Sequence, residues 1–405
     1  MKRFALSGRV PAISIFFLAY AVRLAMVVLL HPYRDMPDYE VLRIMRSLAR
    51  GGMFADPFAP LATGPTAHVS PLYPLVMSMA FRIFGDGPGG MLVHCLVNLA
   101  IASLGYALLP GLARTLCLPA SYGIAGGVLG ALLPVNFINE SRTIEGVVCC
   151  LFTAITIPTL DYWRTGIVKT SLAMRLGVLW GLVWLTSATG LLIFVALGMA
   201  SWLLRPAGRR ILIRNVALTG AVAFTMLIPW AVRNQRVLGR PIFLRDNFGL
   251  ELQVSNNDLT GVSIEENYSN GTLDTFHPYS NRDEALKVRS LGEVEYNRLK
   301  LDEAFHYISL HPIRFVGLTL GRIGDFWFPM TGRPMQSAIL WVLTALSFVG
   351  LTLVWRENRD AAAVFLCIWA VVQPLYCVVQ TSVRYRYQIQ WTVFALAGAR
   401  AYASQ

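Results

Sequence analysis

Acidic residues follow the first long apolar run of the chain, in residues 34–40 (RDMPDYE). A carboxylate at such a place can take a proton from a hydroxyl group or orient a reacting group. Asp38 directly precedes Tyr39 at the start of a helical pattern, so we rank it first and Asp35 second. The same acids are also typical of a solvated helix N-terminus, where carboxylates stabilise the helix dipole.

A second acid, Glu145, stands at the start of a later apolar run. An ionised carboxylate costs roughly 2.5 to 3.5 kcal/mol at the centre of a membrane and less near its edge, so Glu145 needs a partner. Arg142 lies three positions earlier, which is one turn of a helix. The two residues predict either a catalytic acid with its cation or a simple anchor for the helix, and Glu140 is the competing acid.

Three arginines follow or precede apolar runs, namely Arg233, beside Asn234, and the pair Arg384 and Arg386. A guanidinium group matches the geometry of a phosphate, because it donates two parallel hydrogen bonds. The alternative for each arginine is that its side chain only reaches from the membrane into water. We expect these four residues, together with Arg142, to contact substrate.

Residues 64–74 (GPTAHVSPLYP) form a proline-rich turn that holds His68 and Tyr73. We expect both side chains to bind substrate, whereas the alternative for His68 is a hydrogen-bonded turn residue. The histidines further along the chain lack the spacing of metal ligands, and no phosphate-binding loop is present. The sequence therefore predicts no cofactor and no metal site. Carboxylates beside a phosphate can also hold a divalent cation, so the sequence does not decide whether the reaction depends on a metal.

The composition decides which elements position these residues. Of the 405 residues, 55% are hydrophobic and 14% are charged, whereas soluble globular chains carry roughly 25% charge. Apolar runs of about 17 to 25 residues recur, which is the length of a membrane-crossing helix. The net charge of +12 lies in short loops and indicates membrane orientation, not nucleic-acid binding. These features predict an all-α polytopic membrane protein.

The charge pattern predicts ten spans with both termini in the cytoplasm. Residues 1–231 form a first transmembrane module, whose outer loop (31–86) contains interfacial helices. Residues 232–335 form a longer extracytoplasmic segment, and residues 336–405 return to the membrane. Overlapping GxxxG patterns at residues 123–130 predict close helix packing. The expected spans are residues 11–30, 90–111, 120–138, 144–162, two within 172–204, 212–231, 336–355, 361–380 and 387–402.

This topology places all the candidate residues at the outer membrane surface. A site there has no direct access to cytoplasmic nucleotide sugars, but it can use a sugar on a lipid carrier. Transfer of such a sugar needs a carboxylate for the proton of the acceptor and cations for the leaving phosphate. The sequence therefore predicts a multi-pass protein of the plasma (inner) membrane that binds a lipid-linked donor and an extracytoplasmic acceptor.

Several motifs, in order along nearly the whole chain, resemble the C-type (GT-C) membrane glycosyltransferases. The resemblance is to the bacterial branch, with the protein O-mannosyltransferases and the lipid A aminoarabinose transferase. The motifs are LARGG (48–52), PTAHVSPLYP (65–74), PWAVRNQRVLG (229–239), NFGLELQVSNN (247–257), the segment from HPYSNRDEALK to ISLHP (277–312), DFW (325–327) and RYRYQIQ (384–390).

The resemblance implies an inverting transfer of a sugar from a polyprenyl-phosphate donor to protein, lipid or polysaccharide. The acid of the first outer loop then corresponds to Asp38, or to Asp35 in the other register, and the second acid corresponds to Glu145. Because the chain ends soon after RYRYQIQ, we expect acceptor choice to depend on residues 232–312. The rival interpretations are a transporter or lipid flippase, and a noncatalytic protein of envelope polysaccharide assembly.

Overall fold

The computed structural model describes residues 9–34, 36–58, 61–164, 166–204 and 208–403. Within these residues the chain is helical, and its extended pairings are two isolated bridges, Ala55 with Pro65 and Ser263 with Thr381. The helices are α1 (Arg9–Leu30), α2 (Glu40–Ala49), α3 (Leu72–Phe84), α4 (Pro88–Ala107), α5 (Leu109–Thr115), α6 (Ala120–Leu132), α7 (Phe137–Arg142), α8 (Glu145–Arg164), α9 (Thr170–Thr186), α10 (Gly190–Leu204), α11 (Arg209–Thr225), α12 (Ile228–Leu238), α13 (Phe248–Val254), α14 (Ile264–Ser269), α15 (Thr272–Phe276), α16 (Arg282–Leu291), α17 (Glu293–Leu310), α18 (Pro312–Trp327), α19 (Pro334–Glu357), α20 (Arg359–Val372), α21 (Leu375–Val378), α22 (Val383–Tyr387) and α23 (Gln390–Ala403).

Five helical stretches among the described residues are long and apolar enough to cross a membrane, and a bent pair makes a sixth. The bent pair consists of α11 and α12, which meet at 40°. Other apolar helices are shorter; α6, for example, has 13 residues and reaches only about 20 Å. The structure confirms an all-α multi-pass membrane protein, and the count of ten spans stays a prediction. The five long stretches are Val10–Leu30, Pro88–Thr115, Glu145–Arg164, Pro334–Glu357 and Arg359–Val378.

Small residues bring α6, α19 and α23 into close contact, as the GxxxG patterns predict. A Cβ atom on Gly126 would lie 2.4 Å from the carbonyl oxygen of Phe394, and one on Gly350 would lie 1.9 Å from that of Leu396. Both distances are far below van der Waals contact, so only glycine fits. The last helix of the chain is therefore locked against the first half.

Two helices outside the bundle each leave an apolar stripe exposed. The exposed residues recur every three or four positions, so they lie on one face of each helix. This arrangement agrees with helices that lie along the membrane surface, where the sequence places them. The residues are Leu75, Met79 and Ile83 on α3, and Ile313, Val316 and Leu320 on α18.

The outer segment differs from the sequence expectation at one glycine. The pattern predicts a single amphipathic helix through residues 283–311, but the structure has two helices, α16 and α17, that meet at Gly292. Gly292 has a φ of 80°, a conformation that other residues rarely adopt. The break turns the first residue of α17, Glu293, towards the first outer loop.

We predict that Gly350→Ala destabilises the protein, because the new methyl group would overlap the backbone of α23. Gly198→Ala is the matched control, since a Cβ atom at Gly198 meets nothing within 4 Å and alanine favours a helix over glycine. Thermal unfolding in detergent checks both: Gly350→Ala should lower the midpoint by several degrees, and Gly198→Ala should leave it unchanged or raise it. Equal midpoints would contradict this packing.

Candidate active site

An ion pair between Glu145 and Arg384 joins parts of the chain that are 239 positions apart. Glu145 begins α8 and is buried, whereas the side chain of Arg384, on α22, is 37% exposed. Arg384 donates to Oε1 of Glu145 from Nη2 at 3.0 Å and from Nε at 3.2 Å. Oε2 of Glu145 is also buried and has no hydrogen-bond partner among the described residues. One carboxylate oxygen is therefore left for another ligand.

The expected local pair between Arg142 and Glu145 is replaced by this distant pair. The reason is a break in the helix: α7 ends at Arg142, Thr143 is extended and α8 begins at Glu145. Arg142 instead donates from Nε to the carbonyl oxygen of Pro32 at 2.9 Å, and its own carbonyl accepts from the hydroxyl of Tyr39. Arg142 thus fastens the first outer loop to the bundle beside the ion pair.

Asp38 contacts two arginines of α2. Its Oδ2 accepts from Nη1 of Arg43 at 2.8 Å, and its Oδ1 accepts from Nη1 of Arg46. Arg46 also donates to Asp86 at 2.7 Å, which ties α2 to the turn before α4. Both oxygens of Asp38 are therefore engaged, and the residue holds the start of α2 in place. Asp35 lies outside the described residues.

Glu40, the first residue of α2, is a carboxylate that the sequence analysis did not select. Its Oε1 lies 3.9 Å from Nε2 of His277. Burial raises the pKa of Glu40, and the charges of Arg384, Arg245 and Arg43 lower it in part. Glu40 therefore shares the electrostatic environment of Arg384. The sequence feature that could have identified Glu40 is its position in the acidic segment RDMPDYE.

Arg245 is a residue that sequence reasoning missed. Its positive charge lowers the pKa values of Glu40, His68 and Tyr385. The residue is exposed, and it forms no ion pair with a carboxylate of the described residues. Nothing in its local sequence (LRDNFG) separates it from an ordinary loop arginine.

His68 is buried and lies edge-on to Phe58, with ring centroids 5.0 Å apart. Burial, helped by the charges of Arg245 and His277, holds the pKa of His68 well below its usual range. The imidazole is therefore neutral at physiological pH. Its Nδ1 has no hydrogen-bond partner in the described part of the chain, so it can bind a polar ligand.

Glu293 supports the backbone next to His68. Its carboxyl group accepts from the hydroxyl of Thr66 and from the N–H of Ala67 at 2.6 Å. Burial raises the pKa of Glu293 to about 8, and the hydrogen bonds from Thr66 and Ala67 offset only part of that shift. The carboxyl group is therefore largely protonated at neutral pH.

Tyr73 and Arg233, which we also expected to contact substrate, form hydrogen bonds within the protein. The hydroxyl of Tyr73 bonds His94 Nε2 at 2.9 Å and Asn98. Arg233 donates to the carbonyl oxygens of Thr66 and Phe54, both at 2.7 Å. These contacts join the first outer loop and the interfacial helix α3 to the bundle.

Asn234 and Arg386 also bind backbone. Asn234 donates to the carbonyl oxygen of Ile242 at 2.7 Å. Arg386 is buried and donates to the carbonyl oxygen of Trp327, at the end of α18, and to the hydroxyl of Thr344. Of the three arginines that the sequence assigns to phosphate, the structure brings only Arg384 to Glu145.

The site thus combines two cations, Arg384 and Arg245, with two carboxylates, Glu145 and Glu40, and a neutral imidazole. Cations of this kind stabilise a phosphate group on which negative charge develops, and a carboxylate can take a proton from a hydroxyl group. Among the described residues no group of three His, Cys, Asp or Glu side chains could hold a metal ion.

The fold is shared with solved structures of an archaeal oligosaccharyltransferase from Archaeoglobus fulgidus. The apo form is 14% identical with a TM-score of 0.58, the complex of AglB with an inhibitory peptide and a dolichol-phosphate is 15% identical with a TM-score of 0.56, and the complex with Zn and sulfate is 13% identical with a TM-score of 0.55. The matches cover 96–97% of this chain and 49–50% of the other.

The chain thus spans about half the length of these oligosaccharyltransferases. No protein-family model and no curated protein sequence matches it. At 13–15% identity these comparisons show a shared fold, which agrees with the C-type resemblance of the sequence motifs. They do not single out the bacterial branch with its O-mannosyltransferases and aminoarabinose transferase, so that part of the resemblance stays a prediction.

We predict that Glu293→Gln removes a pH dependence of stability. A carboxyl group whose pKa is raised from 4.5 to about 8 on folding stabilises the fold fully below pH 4.5, and this contribution is lost as pH rises towards 8. The native protein should therefore lose stability across this window, and Glu293→Gln should lose less. Thermal midpoints from pH 5 to 9 measure it.

Glu295→Gln is the control, since Glu295 is an exposed acid of the same helix that pairs with Arg298. Its midpoints should follow those of the native protein. Parallel curves for the native protein and Glu293→Gln would show that Glu293 is not a buried, protonated acid.

Proposed function

We propose that the protein is a glycosyltransferase that moves a sugar from a polyprenyl-phosphate carrier to an extracytoplasmic acceptor, which is a protein, a lipid or a polysaccharide. The observation that carries the proposal is the ion pair between the buried Glu145 and the partly exposed Arg384, at the end of the bundle that the charge pattern places outside. The charges of Arg384 and Arg245 both lower the pKa of Glu40. The shared fold with a protein solved in complex with a dolichol-phosphate supports it.

Arg384 and Arg245 bind the phosphate of the donor. Arg384 is oriented by Glu145, which takes up its Nε and Nη2 donors but leaves Nη1 for an oxygen of the phosphate. Arg245 forms no ion pair with a carboxylate of the described residues, so its full charge is available to the phosphate, whose negative charge rises from one to two as the sugar departs. Two guanidinium groups stabilise the charge that grows on the phosphate as it leaves.

The reaction follows from these positions. A hydroxyl oxygen of the acceptor attacks the anomeric carbon, the bond from this carbon to the phosphate oxygen breaks, and its electron pair leaves with polyprenyl phosphate. Attack from the face opposite the phosphate inverts the anomeric centre. The proton of the hydroxyl passes to a carboxylate of the first outer loop, either Asp35 or Glu40, while Asp38 positions α2 through Arg43 and Arg46.

The remaining site residues bind or position the substrates. Oε2 of Glu145 and Nδ1 of His68, which are both buried and without a hydrogen-bond partner among the described residues, bind hydroxyl groups of the sugar. Arg142, Tyr73, Arg233, Asn234 and Arg386 act through the segments that they hold. The protein lies in the plasma (inner) membrane with both termini in the cytoplasm, and no metal is assigned to the site.

We predict that the purified protein, in proteoliposomes with polyprenyl-phosphate hexose, releases free polyprenyl phosphate. Arg384→Gln and Arg245→Gln should each raise the KM for the donor, on the order of tenfold or more, because a bond between two charged groups is worth about 1.5 to 3 kcal/mol. Arg282→Gln, on the outer helix α16, is the matched control and should behave as the native protein does.

The acids are tested in the same assay. Asp35→Asn or Glu40→Gln should abolish turnover, according to which of them takes the proton, and Asp38→Asn should lower it only in part. Turnover that survives all three changes would remove the first-loop acid from the mechanism. A folded native protein that releases no polyprenyl phosphate from any hexose donor would contradict the proposed function and favour the transporter or assembly protein.

A further inference from the structure

A fully buried carboxylate, Glu140, lies inside the bundle beneath the candidate site. Its Oε2 accepts from Nε of Arg23 at 2.6 Å, and its Oε1 accepts from Nη2 of Arg23 at 2.9 Å. The hydroxyl groups of Tyr106 and Tyr387 each donate to the same Oε1 at 2.6 Å. Arg23 adds hydrogen bonds to the carbonyl oxygens of Ala131 and Gly130, so the charged pair is well satisfied.

This carboxylate is connected to both partners of the ion pair at the site. Glu140 belongs to α7, and Glu145 follows five positions later at the start of α8. Tyr387 ends α22, three positions after Arg384 on the same helix. The segments that carry Glu145 and Arg384 are therefore attached to one buried group, although they are far apart in sequence.

The helix α22 depends on such attachments for its position. It has five residues, and helices of this length are not stable by themselves. Its serine cap, Ser382, accepts from the N–H of Arg384, but this bond does not fix where the helix lies. Its side chains connect it to the rest of the protein: Arg384 pairs with Glu145, Tyr385 stacks on Tyr376, Arg386 binds the end of α18, and Tyr387 binds Glu140.

We propose that Glu140, through the hydroxyl of Tyr387, is a positioning residue that sets the direction in which Arg384 meets Glu145 and the donor phosphate. This inference rests on the proposed function, because it gives Arg384 a phosphate to bind. Loss of the hydroxyl removes the attachment of α22 to Glu140 and leaves the contacts of Arg384, Tyr385 and Arg386, which lie towards the other end of the helix. Arg384 then keeps its charge but loses its alignment.

Tyr106 provides a closely matched control. Its hydroxyl donates to the same oxygen of Glu140 and lies 3.0 Å from the hydroxyl of Tyr387. It belongs to α4, a long apolar helix that carries neither Glu145 nor Arg384. Tyr106→Phe and Tyr387→Phe therefore remove the same kind of bond from the same carboxylate, and they should lower the thermal midpoint to a similar extent.

The test compares donor kinetics of the two variants in proteoliposomes. We expect Tyr387→Phe to raise the KM for polyprenyl-phosphate hexose about tenfold with a smaller change in kcat, since a hydrogen bond to a charged group is worth about 1.5 kcal/mol or more. Tyr106→Phe should leave this KM within about twofold of the native value. Equal KM values for the two variants would overturn the proposal.

A double-mutant cycle separates positioning from general loosening of the fold. Tyr387→Phe should have little further effect on the donor KM in a protein that already carries Arg384→Gln, because both changes act on one interaction. Additive effects of the two changes on KM would also overturn the proposal.

Hydrogen exchange tests the inference without relying on activity. Tyr387→Phe should speed exchange of the backbone amides in residues 383–389 and 143–148, and Tyr106→Phe should not. If the native protein has no hexose donor, the proposed function fails, but this measurement still decides whether Glu140 positions α22. Equal exchange in both variants would then reject the positioning role as well.

Discussion

The ion pair between Glu145 and Arg384 is the contact on which the arrangement of the outer end depends. At the edge of a membrane, neither an ionised carboxylate nor a guanidinium group is stable in an apolar bundle without a partner. Because the two residues belong to opposite halves of the chain, the pair forms only when both halves have folded together. The glycine contacts that lock α23 against α6 and α19 make this meeting possible.

The energetics of the pair also explain how Glu145 can bind a substrate group. Only Oε1 of Glu145 is used by Arg384, so the second oxygen stays unsatisfied in a buried place. A buried group without a hydrogen bond is costly, and a ligand that donates a hydroxyl group would remove this cost. The buried network of Glu140 and Arg23 lies just beneath it and has no such opening.

Much of this arrangement could be predicted from the sequence. Apolar run lengths and the positions of arginines identify a multi-pass helical protein, and they place Glu145 and Arg384 on the same side of the membrane. Their pairing could not be predicted, because spacing in the sequence favours Arg142, three residues from Glu145. The extended residue Thr143 separates the two helices, and nothing in the local pattern marks that break.

The roles of the other arginines also could not be predicted from the sequence. Arg233 and Arg386 look like phosphate ligands in sequence, but both bind backbone carbonyls that irregular segments and helix ends leave without partners. Arg245 looks like an ordinary loop residue, yet its charge lowers the pKa values of Glu40 and His68. The role of each arginine depends on which carbonyl or carboxylate lies nearby in three dimensions. Composition and local sequence do not identify that partner.

A structure of the protein with bound polyprenyl phosphate tests the central claim most directly. The account predicts that the phosphate lies within hydrogen-bond distance of both Arg384 and Arg245, with the Glu145–Arg384 pair intact. A phosphate bound at Arg233, or on the opposite side of the bundle, would contradict the account, because the cations assigned to the leaving group would then have no part in the reaction.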